Sequence, residues 1–299
     1  MRLGWVLPCA TLFGACKPSF GEDPALVSAP RVLAVKSDPA EAKPGAEVTF
    51  TALVAAPPDA SNLPTPTWHF CDAPRPVTEN NVVSAACLDE ASLLAAGAGT
   101  TITSALPANA CSLFGPDTPP GGFRPRDPDA TGGYFQPLRV DLGGADPIFH
   151  LARVSCSLAD ASADTATAFA AQYAPNQNPN LLPLVARMAD RTLEFSAIPR
   201  GARVELEASW NAEDAESYAY FDPASQTITT RREAMNVAFY VSAGKLDSES
   251  SGRAEDDLAL TADDIWTAPD AAQSARLWLV LRDSRGGSDF ASYNLHIGP

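Results

Sequence analysis

Histidine and serine are the residue types here that could support nucleophilic catalysis, because a serine attacks only when a nearby base takes its proton. His69 and His296 fall on predicted strands, and His150 follows Phe149. No Gly-x-Ser-x-Gly turn, which would expose a nucleophile at a strand end, is present. The pattern is typical of histidines that are packed or exposed along strands, and it predicts no catalytic residue.

Ser242 and Lys245 have the Ser-x-x-Lys spacing of a nucleophile and its base. That chemistry requires the serine at the start of a helix, with the lysine one turn later. Ser242 instead ends a predicted strand, and Gly244 disfavours a helix. We therefore interpret the spacing as a chance match.

Three acidic clusters could supply oxygen ligands to calcium, and they lie at residues 213–214, 255–257 and 263–264. None has the spacing of an EF-hand or of a calcium-binding repeat. Exposed pairs of acids are usually solvated loop residues. The sequence therefore predicts neither a metal site nor a cofactor.

Residues 115–137 are rich in proline, glycine and aspartate, and they predict a long ordered loop. Phe123, Tyr134 and Phe135 fall within it. Aromatic rings offer large contact areas, so they could form a binding loop for a glycan or a peptide. The alternative, which we favour, is that the rings pack beneath their own loop.

The first sixteen residues have the pattern of an export signal. A positive start, Met1-Arg2, precedes an apolar run over residues 3–15 and then Cys16. This largely apolar run of 13 residues is too short to cross a bilayer as a helix, which needs about 20 residues. We therefore expect residues 1–15 to be a signal peptide.

The run Leu12-Phe13-Gly14-Ala15-Cys16 resembles the lipobox of bacterial lipoproteins. That resemblance implies cleavage before Cys16, lipidation of its sulfur and anchoring to the membrane. Lys17 in place of aspartate implies, by the same resemblance, the outer membrane. The alternative is a secreted protein that is cut nearby and carries Cys16 as an incidental thiol.

Four cysteines remain after such cleavage and lipidation: Cys71, Cys87, Cys111 and Cys156. An even number in an oxidising compartment predicts two disulfides, with three pairings open. The absence of a Cys-x₂₋₄-Cys pair disfavours zinc. Of the three pairings we prefer the sequential one, Cys71–Cys87 and Cys111–Cys156. Its loops would stabilise the fold by about 3 and 4 kcal/mol.

The composition narrows the classes of partner. The 299 residues are 45% hydrophobic, which is enough for cores, and the net charge is −15. Nucleic acid is excluded as a partner, because phosphate binding needs a face rich in lysine and arginine.

The mature chain reads as a series of strands. Residues 32–36, 47–54 and 67–71 are strand candidates, and Trp68 lies on the third. This order resembles the opening of bacterial immunoglobulin-like domains, in which a tryptophan of the third strand fills the core. Short helices are predicted at residues 89–96 and 160–172, and residues 176–183 have the composition of a linker.

Apolar and polar residues alternate clearly in the last hundred residues. Residues 203–210 alternate strictly, residues 218–221 and 227–231 predict a hairpin, and residues 275–282 and 290–297 flank the turn Asp283-Ser284-Arg285-Gly286-Gly287. Glycine supplies positive φ in such a turn, and the aspartate accepts its backbone N–H groups. This ending resembles that of bacterial immunoglobulin-like or PKD-like sandwiches.

The whole chain resembles bacterial surface lipoproteins built from such domains, a family that brings no activity to transfer. We expect an all-β protein with a signal peptide at 1–15, a tether at 16–29, an immunoglobulin-like domain at 30–175 with a disulfide-stapled insertion containing short helices, and a second immunoglobulin-like or PKD-like domain at 184–299. The functional hypothesis is a lipid-anchored protein of the cell envelope with a non-enzymatic binding or scaffolding role, whose partner is an envelope protein or a glycan. The alternative is an enzyme, or an enzyme accessory, acting on envelope polysaccharide or peptidoglycan.

Overall fold

The computed structural model describes residues 23–116, 124, 129–189 and 191–298. In this part of the chain, most regular structure is β-strand, and the strands build two immunoglobulin-like sandwiches in succession. The predicted all-β fold class is confirmed.

The first sandwich packs a three-stranded sheet, in the order β1-β3-β6, against a five-stranded sheet, in the order β2-β8-β7-β4-β5. Its strands are β1 (Arg31–Asp38), β2 (Glu41–Ala42), β3 (Glu47–Ala55), β4 (Thr67–Cys71), β5 (Leu93–Ala98), β6 (Thr101–Ala105), β7 (Gly133–Asp141) and β8 (Ile148–Ser155).

Alternating apolar side chains explain why these strands pair as two facing layers. Val48 and Phe50 point from β3 into the core, where they meet Trp68 and Phe70 from β4. Trp68 is fully buried, as its predicted place on the third strand requires, and its ring nitrogen donates to the carbonyl of Gly99 over 2.8 Å.

Two helices accompany the first sandwich, α1 (Ala110–Phe114) and α2 (Ala163–Ala170). The Ser162 side chain caps α2 by accepting the backbone N–H of Thr165 over 3.2 Å. The predicted helix at 160–172 therefore forms in its central part.

The predicted helix at 89–96 is wrong. The chain forms 3₁₀ turns at Ala85–Leu88 and Glu90–Ser92 and then continues as β5, which pairs with β4. A helix of one or two turns is unstable on its own, whereas pairing satisfies the same backbone groups along a whole strand.

The loop predicted at 115–137 also differs, because its last residues, from Gly133 onward, begin strand β7. Both disulfides form in the sequential pairing that we preferred. Cys71–Cys87 ties β4 to the first 3₁₀ turn, and Cys111–Cys156 ties α1 to the segment after β8.

The second sandwich packs two five-stranded sheets, with strand orders β10-β9-β12-β18-β16 and β11-β20-β19-β15-β17, and a separate hairpin β13-β14. Its strands are β9 (Val185–Met188), β10 (Arg191–Thr192), β11 (Ile198–Pro199), β12 (Arg203–Ser209), β13 (Ser217–Asp222), β14 (Thr227–Arg232), β15 (Met235–Val241), β16 (Lys245–Leu246), β17 (Ser250–Arg253), β18 (Thr261–Thr267), β19 (Gln273–Asp283) and β20 (Ser288–Gly298). A further 3₁₀ turn spans Ala212–Asp214.

Strand β19 is buried on both faces, and this property joins the two sandwiches. Leu277, Leu279 and Leu281 face the core of the second sandwich, whereas Trp278 and Val280 face the first. The run of apolar residues at 277–281 is the sequence pattern expected for a strand that is covered on both sides.

The opposite side of this contact is the outer face of the β1–β3 pair. Ala34, Leu53 and Ala55 pack there against Trp278 and Val280. Apolar burial of this kind stabilises by about 25 cal/mol per Å², so the contact favours association of the two sandwiches.

Of the segment expected to be a tether, 16–29, only residues 23–29 are described, and they pack against the fold. Val27 is completely buried in the contact between the sandwiches, and Ala25 is buried in the core of the second. Leu26 forms a parallel bridge to Val241 at the end of β15. Within the described residues, no helix is long and apolar enough to cross a membrane.

Trp278→Ala tests the apolar contact between the sandwiches. Trp278 is 3% exposed, so its removal should lower the free energy of unfolding in urea by about 3–5 kcal/mol. Leu258→Ala, at a side chain that is 74% exposed, is the control and should change it by no more than about 0.5 kcal/mol. Equal effects of the two substitutions would contradict this packing.

Candidate functional site at the domain junction

The segment expected to be a linker, 176–183, is in fact packed between the two sandwiches. Asn176 is 2% exposed and touches both: its backbone N–H donates to Glu41 of the first over 2.9 Å, and its side-chain N–H₂ donates to Asp283 of the second over 3.2 Å. Asn178 donates to the carbonyl of Ser37 and accepts the N–H of Ser288. The segment therefore joins the sandwiches through hydrogen bonds.

Glu41 and Arg153 form a buried ion pair on the first sandwich, with Arg153 Nε 2.9 Å from Glu41 Oε2. Three further donors reach the Glu41 carboxylate, and they are the Ser155 hydroxyl, the Tyr173 hydroxyl and the Asn176 backbone. Burial alone would raise the pKa of Glu41, but Arg153 and these hydrogen bonds lower it below its usual value.

Asp283 organises the turn between β19 and β20. Its Oδ1 accepts the backbone N–H groups of Arg285, Gly286 and Gly287 over 2.8, 2.7 and 2.9 Å, as the turn sequence predicted. Gly286 has φ of +108°, and a Cβ at Gly287 would collide with the Asp283 carboxylate. The two glycines are therefore required for the turn and for its close contact with the connecting segment.

This turn aims Arg285 into a pocket of carboxylates. Arg285 Nε lies 2.6 Å from Glu233 Oε1, and its Nη2 lies 2.8 Å from Glu216 Oε2. The third nitrogen, Nη1, donates to the carbonyl of Ala174 over 3.1 Å, and the guanidinium stacks 4.8 Å from the Tyr218 ring. Arg285 is 3% exposed and its contact with Glu233 is fully buried, whereas the Glu216 side chain retains 23% exposure.

These groups form one connected set, which we call the junction network: Glu41, Arg153, Asn176, Glu216, Glu233, Asp283 and Arg285. The link between its halves runs through Asn176 and through Arg153, whose Nη1 lies 3.5 Å from the carbonyl oxygen of Arg285. A buried ion pair adds little net stability, yet removing one partner costs about 3–5 kcal/mol. The network therefore acts mainly to fix how the sandwiches are oriented.

More carboxylates than guanidiniums lie around Arg285, and this excess of negative charge contributes to a raised pKa of Glu233. Burial, together with the nearby Asp283 charge, raises the pKa of Glu233 to about 7, although Arg285 opposes the shift. Burial likewise raises the pKa of Asp283. Near neutral pH the junction network is therefore close to taking up a proton.

The residues expected to form a binding loop do not come together on an exposed surface. Tyr134 lies on β7 and is 2% exposed, and Phe135 is half-buried on the same strand with Arg153 over its ring at 5.7 Å. The two rings are therefore packed, as in the alternative that we favoured, although they lie on a strand rather than beneath a loop. Phe123 and Cys16 lie outside the described residues.

Ser37 and His150 are a serine and a histidine within hydrogen-bond distance of each other. Ser37 Oγ lies 2.7 Å from His150 Nε2, but Ser37 is only 4% exposed, and no carboxylate of the described residues lies within 4.0 Å of the His150 ring. Burial, with a smaller effect of Arg282, lowers the pKa of His150 to about 4. This pair joins β1 to β8 and lacks the access that a nucleophile requires.

The acidic clusters are structural in part. Asp214 caps the 3₁₀ turn Ala212–Asp214 by accepting the backbone N–H of Asn211, and Asp264 accepts those of Ser248 and Ile265. Among the described residues, no group of three or more histidine, cysteine or acidic side chains is placed to hold a metal ion.

Sequence reasoning missed the junction network. The Asp283 turn was identified from its own residues, but the partners of Arg285 lie 52 and 69 positions away along the chain. Two signals were present: the uninterrupted apolar run in β19, and charged residues, Glu41 and Arg153, at positions within strands. The apolar run indicates that a further element covers the second face of β19, and the charged residues indicate buried partners elsewhere in the chain.

Comparison with known proteins gives no family. No protein-family model matches the chain, and no curated protein matches it significantly. Fibronectin(III)-like modules of Clostridium thermocellum CbhA are similar to it at 10% identity, over 92% of each chain and with a TM-score of 0.22. The Yersinia pseudotuberculosis adhesin InvE is similar at 11% identity, over 89% of this chain and 58% of that one, with a TM-score of 0.25. Such low scores carry no conclusion about activity or partners.

Glu233→Gln tests the electrostatics of the junction network. The pKa of Glu233 is about 7 in the folded chain against an ordinary 4.5, so the folded chain binds the extra proton between these values. The contribution of this group to stability is therefore complete below about pH 4.5 and is lost as the pH rises through 7.

We expect the stability of the wild type relative to Glu233→Gln to fall by about 3 kcal/mol between about pH 4 and pH 8. Urea unfolding of both proteins across this range measures it. The comparison cancels the opposite effect of His150, which both proteins share. Glu90→Gln, at an exposed carboxyl, should track the wild type at every pH. A difference that stays flat with pH would contradict the raised pKa of Glu233.

Proposed function

We propose that this chain is a lipid-anchored protein of the bacterial cell envelope that presents a binding or scaffolding surface and is not an enzyme. The mature chain would begin at Cys16, with lipid on its sulfur, and the outer membrane is its proposed site. Its proposed partner is an envelope protein or a glycan.

The observation that carries this proposal is the junction network. A chain that places two sandwiches in one fixed orientation keeps surface residues of both at set distances, which is what a presenting or scaffolding protein needs. Parting the sandwiches would break the hydrogen bonds of Asn176 to Glu41 and Asp283 and the contact of Arg153 with the Arg285 carbonyl, so buried charged groups would lose these partners.

Two features support export and anchoring. The disulfides Cys71–Cys87 and Cys111–Cys156 use all the cysteines of the described residues, as is usual in an oxidising compartment. The apolar run at 3–15 before Cys16 supports the anchor. One acyl chain binds a membrane only marginally, whereas two or more hold a protein there stably.

Metabolic labelling with an alkyne fatty acid, followed by membrane fractionation, tests the anchor. The wild type should be labelled and should sediment with the membranes. Cys16→Ala should be unlabelled, because it removes the sulfur that receives the lipid.

Cys9→Ala is the matched control, because Cys9 lies in the same apolar run but follows Pro8, which disfavours cleavage before it. It should behave as the wild type does. Label that persists in Cys16→Ala, or wild type that stays unlabelled and soluble, would overturn the proposed anchor.

A further inference from the structure

A pocket of about 120 Å³ lies on the first sandwich, and we call it the Arg75 pocket after the arginine in its lining. Phe135 of β7 and Leu151 of β8 lie beneath it, and the loop 72–84 and the end of α1 form its walls. Ala152 faces the core, so Leu151, one position before it, faces outward. The pocket therefore lies on the outer face of the five-stranded sheet.

The walls of the Arg75 pocket are apolar and accessible. Six apolar side chains line it, and none of them is fully buried: Val82, Val83, Leu113, Phe114, Phe135 and Leu151. Such walls offer water few hydrogen bonds, so an apolar group that displaces the water is favoured. A cavity of roughly 150 Å³ holds a benzene molecule, so this pocket has room for a branched aliphatic group or a small ring.

The two disulfides hold the walls in place. Cys71–Cys87 closes the loop that supplies one wall. Cys111–Cys156 ties α1, which supplies the other wall, to the segment after β8. Because the walls are fixed before a ligand arrives, binding does not have to order them.

The charged part of the lining is cationic. Arg75 is half-buried, and its Nη1 donates to the backbone carbonyl of Glu79 over 3.0 Å. Arg75 forms no ion pair with another described residue, so most of its five N–H groups remain available. Arg124 lines the same pocket and donates to the carbonyl of Gly115.

The charge of this lining contrasts with that of the whole chain. The net charge of the chain is −15, yet none of the described residues that line the pocket is acidic. A carboxylate has two oxygens that match the paired N–H groups of one guanidinium, and such charge-assisted hydrogen bonds are among the stronger ones. The pocket therefore favours an anion, and a carboxylate has the shape that fits Arg75.

The apolar walls and the cation together select the class of ligand. An inorganic anion would pair with Arg75 but would leave the walls exposed to water. A hydrocarbon would cover the walls but would leave the guanidinium without an anion. A ligand with both an apolar group and a carboxylate satisfies both parts of the lining.

We propose that the Arg75 pocket binds a carboxylate that carries a small branched or aromatic apolar group. The apolar group packs against Phe114 and Leu151, and the carboxylate accepts N–H groups of Arg75. A free organic acid and the C-terminal residue of a polypeptide both have this chemistry. The inference rests on the proposed function and deepens it, since it names a site and a ligand class for the binding surface.

An NMR titration of the ¹⁵N-labelled chain tests the proposal with two carboxylates, 4-methylpentanoate and an acetylated tripeptide that ends in leucine, each at up to about 20 mM. At least one of them should shift the amide resonances of residues 75, 82–83, 113–114 and 151. Its matched neutral amide should bind about tenfold more weakly or worse, because it cannot form an ion pair with the guanidinium. Binding of 4-methylpentanoate identifies a free acid as sufficient, whereas binding of the peptide alone identifies a polypeptide C-terminus, and either result supports the proposal.

Arg75→Gln should weaken binding of the carboxylate by about tenfold and leave binding of the amide unchanged. Arg191→Gln, at an exposed arginine of β10 outside the pocket, is the matched control and should bind as the wild type does. Unchanged resonances of the two cores will show that both variants fold, and the comparison of acid with amide needs only the wild type.

No shift with either carboxylate, or equal affinity for the acid and its amide, would overturn the proposal. Membrane fractionation is independent of this pocket. A failure here with the anchor intact would therefore count against the carboxylate site alone.

Discussion

The structure depends on the burial of charge between two sandwiches. Three carboxylates, from Glu41, Glu233 and Asp283, and two guanidiniums, from Arg153 and Arg285, lie almost out of contact with water. Each was removed from water at a cost that only its partners offset. Each ion pair lies within one sandwich, and the two sets are joined by Asn176 and by the contact of Arg153 with the Arg285 carbonyl. One arrangement of the sandwiches satisfies these joining hydrogen bonds together with the ion pairs.

Apolar and polar contacts have different roles at this junction. The cluster around Trp278 and Val280 supplies free energy through burial, but an apolar contact tolerates sliding. Hydrogen bonds to buried charges do not tolerate such a displacement, because a shift of an ångström or two breaks them. Asn176 shows the consequence most directly, as one residue donates to a carboxylate in each sandwich.

Much of the fold could be predicted from the sequence, because alternation of apolar residues reports which face of a strand is buried. The strand at 67–71 was predicted with the bounds that the structure gives, and the Asp283 turn was identified from aspartate and glycine alone. Prediction from local sequence patterns failed where pairing with a distant segment determines the secondary structure. Residues 89–96 have helical composition, yet pairing with β4 makes their second half a strand.

The candidate site could not be predicted for the same reason. Nothing local to Arg285 indicates that Glu216 and Glu233 surround it, and nothing local to 176–183 distinguishes a packed segment from a free linker. The uninterrupted apolar run at 277–281 was the available signal, because a strand with one exposed face would alternate. This run predicts that the second face of the strand is covered, but it does not identify the element that covers it.

The central claim is that buried charges hold the two sandwiches as one rigid body. Residual dipolar couplings of backbone amides in a dilute aligning medium measure this most directly, since each sandwich reports its own alignment. The account predicts one alignment tensor, equal in magnitude and orientation, for β1–β8 and for β9–β20. Two tensors of different magnitude would mean that the sandwiches reorient independently, and they would contradict it.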